Sequence, residues 1–318
     1  MHMRLSILLF LLCCSQLPAQ DEVVEEAVQV AQTADVCREA AEAGDAAAQY
    51  ELARCYFTGA GVAPSVSKAL VWLRKSADQG YAEAQCNLAE CYADGVGVEK
   101  NSYDAAVWWV KAAKQHHAEA QYRLGVAHLR GEGVMQSNVL GIAWLKRTAA
   151  QNHVEALYQL GFCHLNGIGG TPNPVEAVSL FRRAAELGHA QASYWLGICL
   201  LQGTGADKAP QEAVQHLLRS ADGLCDAAAL ALARCYEQGI GVGADVNAAF
   251  DWYWRAADAG MAEAQYRLGL YLEEGKGCKQ SREKAVKWYK KAVERQHPEA
   301  QKRLERLLSE KADKGEKK

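Results

Sequence analysis

A pair of glycines two residues apart returns every 36 residues along this chain: Gly59/Gly61, Gly95/Gly97, Gly131/Gly133, Gly167/Gly169, Gly203/Gly205, Gly239/Gly241 and Gly275/Gly277. No insertion or deletion interrupts the series. A second column, 13 residues after the first glycine, reads Trp72, Trp108, Trp144, Leu180, His216, Trp252, Trp288. A third reads Ala77, Ala113, Ala149, Ala185, Ala221, Ala257, Val293, and the phrase AEAQYRLG stands at both 118–125 and 262–269. Seven copies in register exclude a single irregular core and require an array of near-identical units.

Within a unit, HAEAQYRLGVAHLR (117–130) sets Ala118, Tyr122, Gly125 and Leu129 on overlapping faces of one helix, and NVLGIAWLKRTAA (138–150) supplies a second amphipathic helix. Glycine in the intervening GEGV ends the first helix, because it adopts the left-handed conformation other residues resist. Gly80, Gly188 and Gly260 end the second helix, with Asn152 and His116 in the same column. Each helix of roughly a dozen residues is too short to be stable alone. A single helix pair buries too little surface to fold alone. Stacking must supply the stability, so the predicted fold class is an all-α, α/α solenoid (superhelix) of 36-residue helix pairs.

The predicted organisation follows from where the columns begin and end. Residues 1–19, within MHMRLSILLFLLCCSQLPAQDEVVEE, read as a signal peptide: Arg4, an apolar run too short to span a bilayer, then Pro18-Ala19 as a cleavage site. This predicts export to the periplasm or beyond the cell, with a lipid anchor on Cys13 or Cys14 less favoured than release. Residues 20–45 form a leading helix, 46–296 the seven repeats, 297–310 a capping helix, and 311–318 a charged disordered tail. After signal removal nothing reads as an integral membrane protein. The formal net charge of −3 gives no long-range attraction for nucleic acid.

Residues that carry chemistry recur with the repeat, and recurrence argues against catalysis. Glu83, Glu119, Glu155, Glu263 and Glu299 share the first helical turn, where a carboxylate steadies the positive end of a helix by about 0.3–1 kcal/mol. His117, His153, His189 and His297 share the preceding turn, too widely spaced to converge on one metal ion. His128 and His164 form a further column, read as groove-lining. No serine elbow, HExxH or phosphate loop is present, and the GxG pairs follow helices rather than strands. No enzyme, cofactor or metal is implied. Nine of the 11 cysteines lie beyond the signal segment, and Cys55, Cys91, Cys163, Cys199 and Cys235 fill one column, read as small buried apolar residues. Stacked units stand too far apart for that column to bridge itself. Cys37, on a leading helix packed against the helix of Cys55, makes Cys37–Cys55 the candidate disulfide. Trp109, Trp195, Tyr253 and Trp254 stand off the tryptophan column and are candidate exposed aromatics for anchoring a peptide or stacking on sugar.

AEAQYRLGVAHLRGEGVMQSNVLGIAWLKRTAAQNH resembles a Sel1-like repeat, a relative of the tetratricopeptide repeat, and YDAAVWWVKAAKQHHAEAQYRLG and EKAVKWYKKAVERQHPEAQ match its second helix and junction. The resemblance covers nearly all of residues 25–310. It implies a right-handed superhelix that binds a protein or peptide ligand on a concave surface, and the layout is similar to exported bacterial members. Those act in envelope assembly, adhesion or host interaction, which gives the expected function: a non-enzymatic binding scaffold in the envelope or outside the cell. The alternatives are a cell-wall glycan (peptidoglycan) binding module and a β-lactam or peptidoglycan hydrolase on a solenoid frame. Some cysteine-rich relatives pair a cysteine late in one second helix with one early in the next first helix, a regularity this chain lacks.

Overall fold

The computed structural model describes residues 37–315 except 224, with side chains to 309. The signal peptide, most of the leading helix and the end of the tail lie outside the described residues. Residues 37–42 are helical, and fifteen helices follow. Seven first helices are α1 (Ala46–Thr58), α3 (Ala82–Asp94), α5 (Ala118–Arg130), α7 (Val154–Asn166), α9 (Ala190–Gln202), α11 (Asp226–Gln238) and α13 (Ala262–Glu274). Their partners are α2 (Val66–Asp78), α4 (Ser102–Lys114), α6 (Asn138–Ala149), α8 (Pro174–Glu186), α10 (Pro210–Asp222), α12 (Val246–Asp258) and α14 (Arg282–Glu294). The capping helix α15 runs Ala300–Gly315, which corrects the tail: its first residues continue a helix. There is no strand among the described residues. The fold is an all-α, right-handed α/α solenoid of helix pairs. Two compact units meet in sequence between His153 and Val154, the first with three pairs and the second with four.

Each helix starts and stops for a local reason. Six of the seven second helices begin at a side-chain cap: Ser65, Asn101, Ser137, Asn173, Asp245 and Ser281 each accept a backbone N–H from the first turn, while α10 has Ala209 at its cap position and Pro210 in its first turn. First helices end on a left-handed glycine, such as Gly131 at φ 73°. The second glycine of each pair has a different task. A Cβ on Gly133 would stand 1.9 Å from the Ser102 carbonyl oxygen, at the start of the previous repeat's second helix. Gly205 and Gly241 stand against the carbonyls of Pro174 and Pro210 in the same way. The loop therefore touches the neighbouring backbone, and the 36-residue register tolerates no insertion there.

Packing follows three columns. From the second repeat on, position 3 of the first helix is alanine and fully buried (Ala84, Ala120, Ala156, Ala192, Ala228, Ala264), so helices approach closely. Leu73, Trp109, Leu145, Phe181, Leu217, Tyr253 and Tyr289, one per second helix, form the large-residue core. The tryptophan column lies beside it, roofed by a cation three residues on: Lys111 stands 3.5 Å from the Trp108 ring centre and Lys291 4.0 Å from that of Trp288. Such contacts stabilise by about 0.5–1 kcal/mol each.

The glutamine of the repeated phrase is a polar connector. Gln85, Gln121 and Gln265 are buried, and their Nε2 atoms donate at 3.1 Å to the carbonyls of Ala77, Ala113 and Ala257 in the preceding second helix. Gln115 and Gln151, at the ends of second helices, donate in turn to the Oε1 atoms of Gln85 and Gln121. Each such chain satisfies a helix-end carbonyl that stacking would otherwise leave without a donor.

Candidate functional site

The first helices carry the variable columns. Positions 6 and 9 are one turn apart and at least partly exposed, and they meet between repeats. Arg123 (position 6) lies 3.2 Å from Glu90 (position 9 of the preceding repeat). Trp195 (position 6) meets Phe162 (position 9) edge-on, with ring centres 5.8 Å apart.

In the first unit they open a groove of about 640 Å³ between α3 and α5, lined by Glu90, Ala93, Trp109, Arg123, Val126 and Arg130 among others. Arg123 also binds Glu119 through its Nε. Burial pushes the Glu90 carboxyl above the usual carboxylate range, against the pull of Arg123. In Glu119 burial acts the same way, but the His153 hydrogen bond and Arg123 outweigh it and hold the group low. In the second unit the same columns present half-buried Phe162, Trp195 and Ile198, then Arg234, Arg267, Arg303 and Arg306.

The recurrent acids and histidines hold the repeats together. His153 Nε2 lies 2.9 Å from Glu119 while its ring stacks on Tyr122. His297 Nε2 lies 3.0 Å from Glu263 while its ring stacks on Tyr266. His117 and His189 cap the next first helix, their Nδ1 atoms accepting the N–H of Ala120 and Ala192. The dipole reading of these glutamates was incomplete, since two of them hold the turn histidine of the following unit. Both carboxylates thereby tie one repeat to the next.

Two sequence-predicted site residues need correction. Trp109 and Tyr253 belong to the core column and are 8% and 0% exposed, so neither offers an open ring face for stacking, although Trp109 contributes to the groove lining. Tyr253 instead donates its hydroxyl to Glu237 at 2.7 Å. His128 and His164 are half-buried, and their backbone carbonyls accept the N–H of Ser137 and Asn173, closing the loop within each repeat. The His128 ring also bonds the Met135 carbonyl at 3.1 Å. Trp195 does lie on the first-helix face. Trp254 is 42% exposed on a second helix, edge-on to Trp288. Cys37 and Cys55 are free thiols. Burial first, and the neighbouring Cys37 next, push the Cys55 thiol up, disfavouring the thiolate that disulfide formation needs. Sequence reasoning missed Gln85, Gln121 and Gln265, although their period was the available signal.

Among the described residues no group of three or more His, Cys, Asp or Glu side chains is arranged to hold a metal, and no helix is long and apolar enough to cross a membrane. Short helix pairs, interlocking loop glycines and a variable first-helix face define a tetratricopeptide-like repeat scaffold, a class that typically binds rather than catalyses. The chain belongs to the Sel1 repeat family, which matches residues 46–81, 82–117, 118–153, 154–189, 190–223, 226–261 and 262–297. It is similar to c5321, a protective antigen present in uropathogenic Escherichia coli strains, with 31% identity and a TM-score of 0.82 over 86% of this chain and 59% of that one. The chain thus spans less than two thirds of that relative. A Sel1 repeat protein from Oxalobacter formigenes is 31% identical with a TM-score of 0.68, over 77% of this chain and 96% of that one. No curated protein matches the chain.

Proposed function

We propose that this protein is a protein- or peptide-binding scaffold that acts in the bacterial envelope or outside the cell. One observation carries the reading: the structural columns are nearly invariant, whereas positions 6 and 9 of the first helices change chemistry from repeat to repeat on an accessible face. The half-buried Phe162–Trp195–Ile198 cluster is suited to anchor a partner, since aromatic groups in partly desolvated sites dominate interface energies. Similarity to a protective antigen and the signal-like residues 1–19 support an exported location, with residues 20–45 a leading segment and the 36-residue repeats the binding body.

The test is crosslinking in native cells, followed by capture of the mature chain and mass spectrometry against mock capture, in wild type and in Trp195→Ala/Phe162→Ala. A reproducible envelope or extracellular protein, depleted at least about tenfold by the double substitution, is expected. An empty capture combined with retention on purified peptidoglycan would replace this reading with the glycan-binding one, for which exposed Trp254 provides a stacking face.

A further inference from the structure

The core column has polar tips in three repeats, and position 12 of the first helix answers two of them. Tyr253 Oη donates to Glu237 at 2.7 Å, and Tyr271 Oη donates to the same carboxylate at 3.0 Å. Tyr289 Oη donates to Glu273 at 2.7 Å, and Arg303 and Arg306 pair with that carboxylate from the following helix. The corresponding positions after Glu237 hold Arg267, which lowers the cost of the tyrosine–glutamate cluster. A core aromatic with a hydrogen-bonding tip, a position-12 glutamate and a position-6 arginine in the next repeat therefore form one structural unit. Where the core residue is apolar within a repeat, position 12 is apolar too: Phe57 with Leu73, Leu129 with Leu145, Leu165 with Phe181, Leu201 with Leu217.

The second repeat breaks the rule. Its core residue is Trp109, the arginine is present as Arg123, but position 12 is Ala93. The indole Nε1–H is buried and has no hydrogen-bond partner. The groove of about 640 Å³ opens at this place, with Ala93, Trp109 and Arg123 in its lining. Glu90 reaches Arg123 from position 9 but leaves the indole unanswered. A buried donor without an acceptor is destabilising, and an incoming acceptor relieves that cost.

We propose that this groove binds a carboxylate presented by a protein partner, seated where Glu237 and Glu273 sit in the second unit, between the Trp109 indole N–H and the Arg123 guanidinium. The proposal deepens the protein-binding reading and rests on it. Arg123 meets the ligand first at the rim, and a small tilt of the indole brings Nε1–H to the second oxygen. Glu119, Glu90, Asp94 and Glu132 oppose the incoming charge, whereas Lys100, Arg123 and Arg130 attract it. A ligand carboxylate therefore competes with Glu90 for Arg123, and Glu90→Gln strengthens binding.

The experiment is an NMR titration of the full mature chain, following the Trp109 indole N–H resonance assigned by its loss in Trp109→Phe. Three probes are added separately: N-acetyl-glutamate α-methylamide, its glutamine analogue, and N-acetylglycine as a chain-terminal carboxylate. A saturable shift with a carboxylate, at least about tenfold tighter than with the glutamine analogue, is expected. Whichever carboxylate saturates first identifies a side-chain or terminal source. Glu90→Gln should tighten binding severalfold. Ala93→Glu should fold and abolish the response by supplying the missing carboxylate, and Arg123→Gln serves as a second loss variant should Ala93→Glu misfold. No saturable shift, or equal shifts with glutamate and glutamine probes, overturns the proposal. Capture of a partner with a silent titration refutes the carboxylate site alone; a saturable titration with empty capture refutes the scaffold reading alone.

Discussion

The two glycines of one loop should differ sharply in their tolerance of a single methyl group. Gly131 and Gly133 both have positive φ, 73° and 71°, so alanine at either position pays the left-handed penalty of about 1 kcal/mol. At Gly131 the added Cβ meets only the Gln136 Cβ closely, at 3.2 Å, a contact that a shift of a few tenths of an ångström relieves, and little further cost follows. At Gly133 it would stand 1.9 Å from the Ser102 carbonyl oxygen and 2.3 Å from its carbon, and backbone has no rotamer to yield. The loop must withdraw by about 1 Å, and the overpacking cost of about 1–3 kcal/mol brings the total for Gly133→Ala to about 2–4 kcal/mol. Gly97→Ala falls between, because its Cβ meets the side chains of Val66 and Leu70, at 2.5 Å and 2.7 Å. Urea denaturation followed by far-UV circular dichroism checks the order. With m of about 2–3 kcal/mol/M, Gly131→Ala should lower the midpoint by about 0.4 M and Gly133→Ala by about 0.8–1.6 M. Equal midpoints for Gly131→Ala and Gly133→Ala would show that the loop does not bear on the preceding repeat, and the account of the strict period would fall with it.

Acid should destabilise the fold in two stages. Burial depresses the His189 pKa, so the unfolded chain takes up that proton first and stability declines as pH falls from about 6.5 toward the folded value. Glu119 and Glu263 are held low by their histidine and arginine partners against burial, so their contribution, complete above about 4.5, is lost as pH falls through their folded values. Thermal melts between pH 7.5 and 3.5 should show a falling Tm, and a rising one would contradict both assignments. Replacing His153 by Phe keeps a ring against Tyr122 but removes the partner of Glu119, and should cost about 1–2 kcal/mol in the same denaturation assay. Burial pushes the Cys91 thiol up to about 12 and the Cys163 thiol to about 11. An aromatic disulfide reagent should therefore label both only on unfolding, and rapid native labelling of either would disprove their burial.

Periodicity disclosed the helix pairs, their caps and their core because each of these must solve the same packing problem in every unit. It misled at Trp109 and Tyr253 for an instructive reason. A residue can look irregular in identity while occupying a regular position: Leu, Trp, Phe and Tyr share one column because all are large, and size is what that column selects. Exposure follows from the column a residue occupies, and irregularity of type is a separate property. Binding chemistry must then be sought in two places: in columns that are both variable and accessible, which yields Arg123 and Trp195, and in columns whose pairing rule fails. Ala93 is the second kind. Its small side chain is unremarkable when read alone and becomes informative only beside Glu237 and Glu273, once contacts show that those glutamates answer the tip of a core aromatic. No spacing in the sequence couples position 12 to the core column of the following helix; the coupling is made by hydrogen bonds between helices. A solenoid can thus acquire a site by omission, since deleting one internal partner from a repeated cluster leaves its donors arranged for an external one.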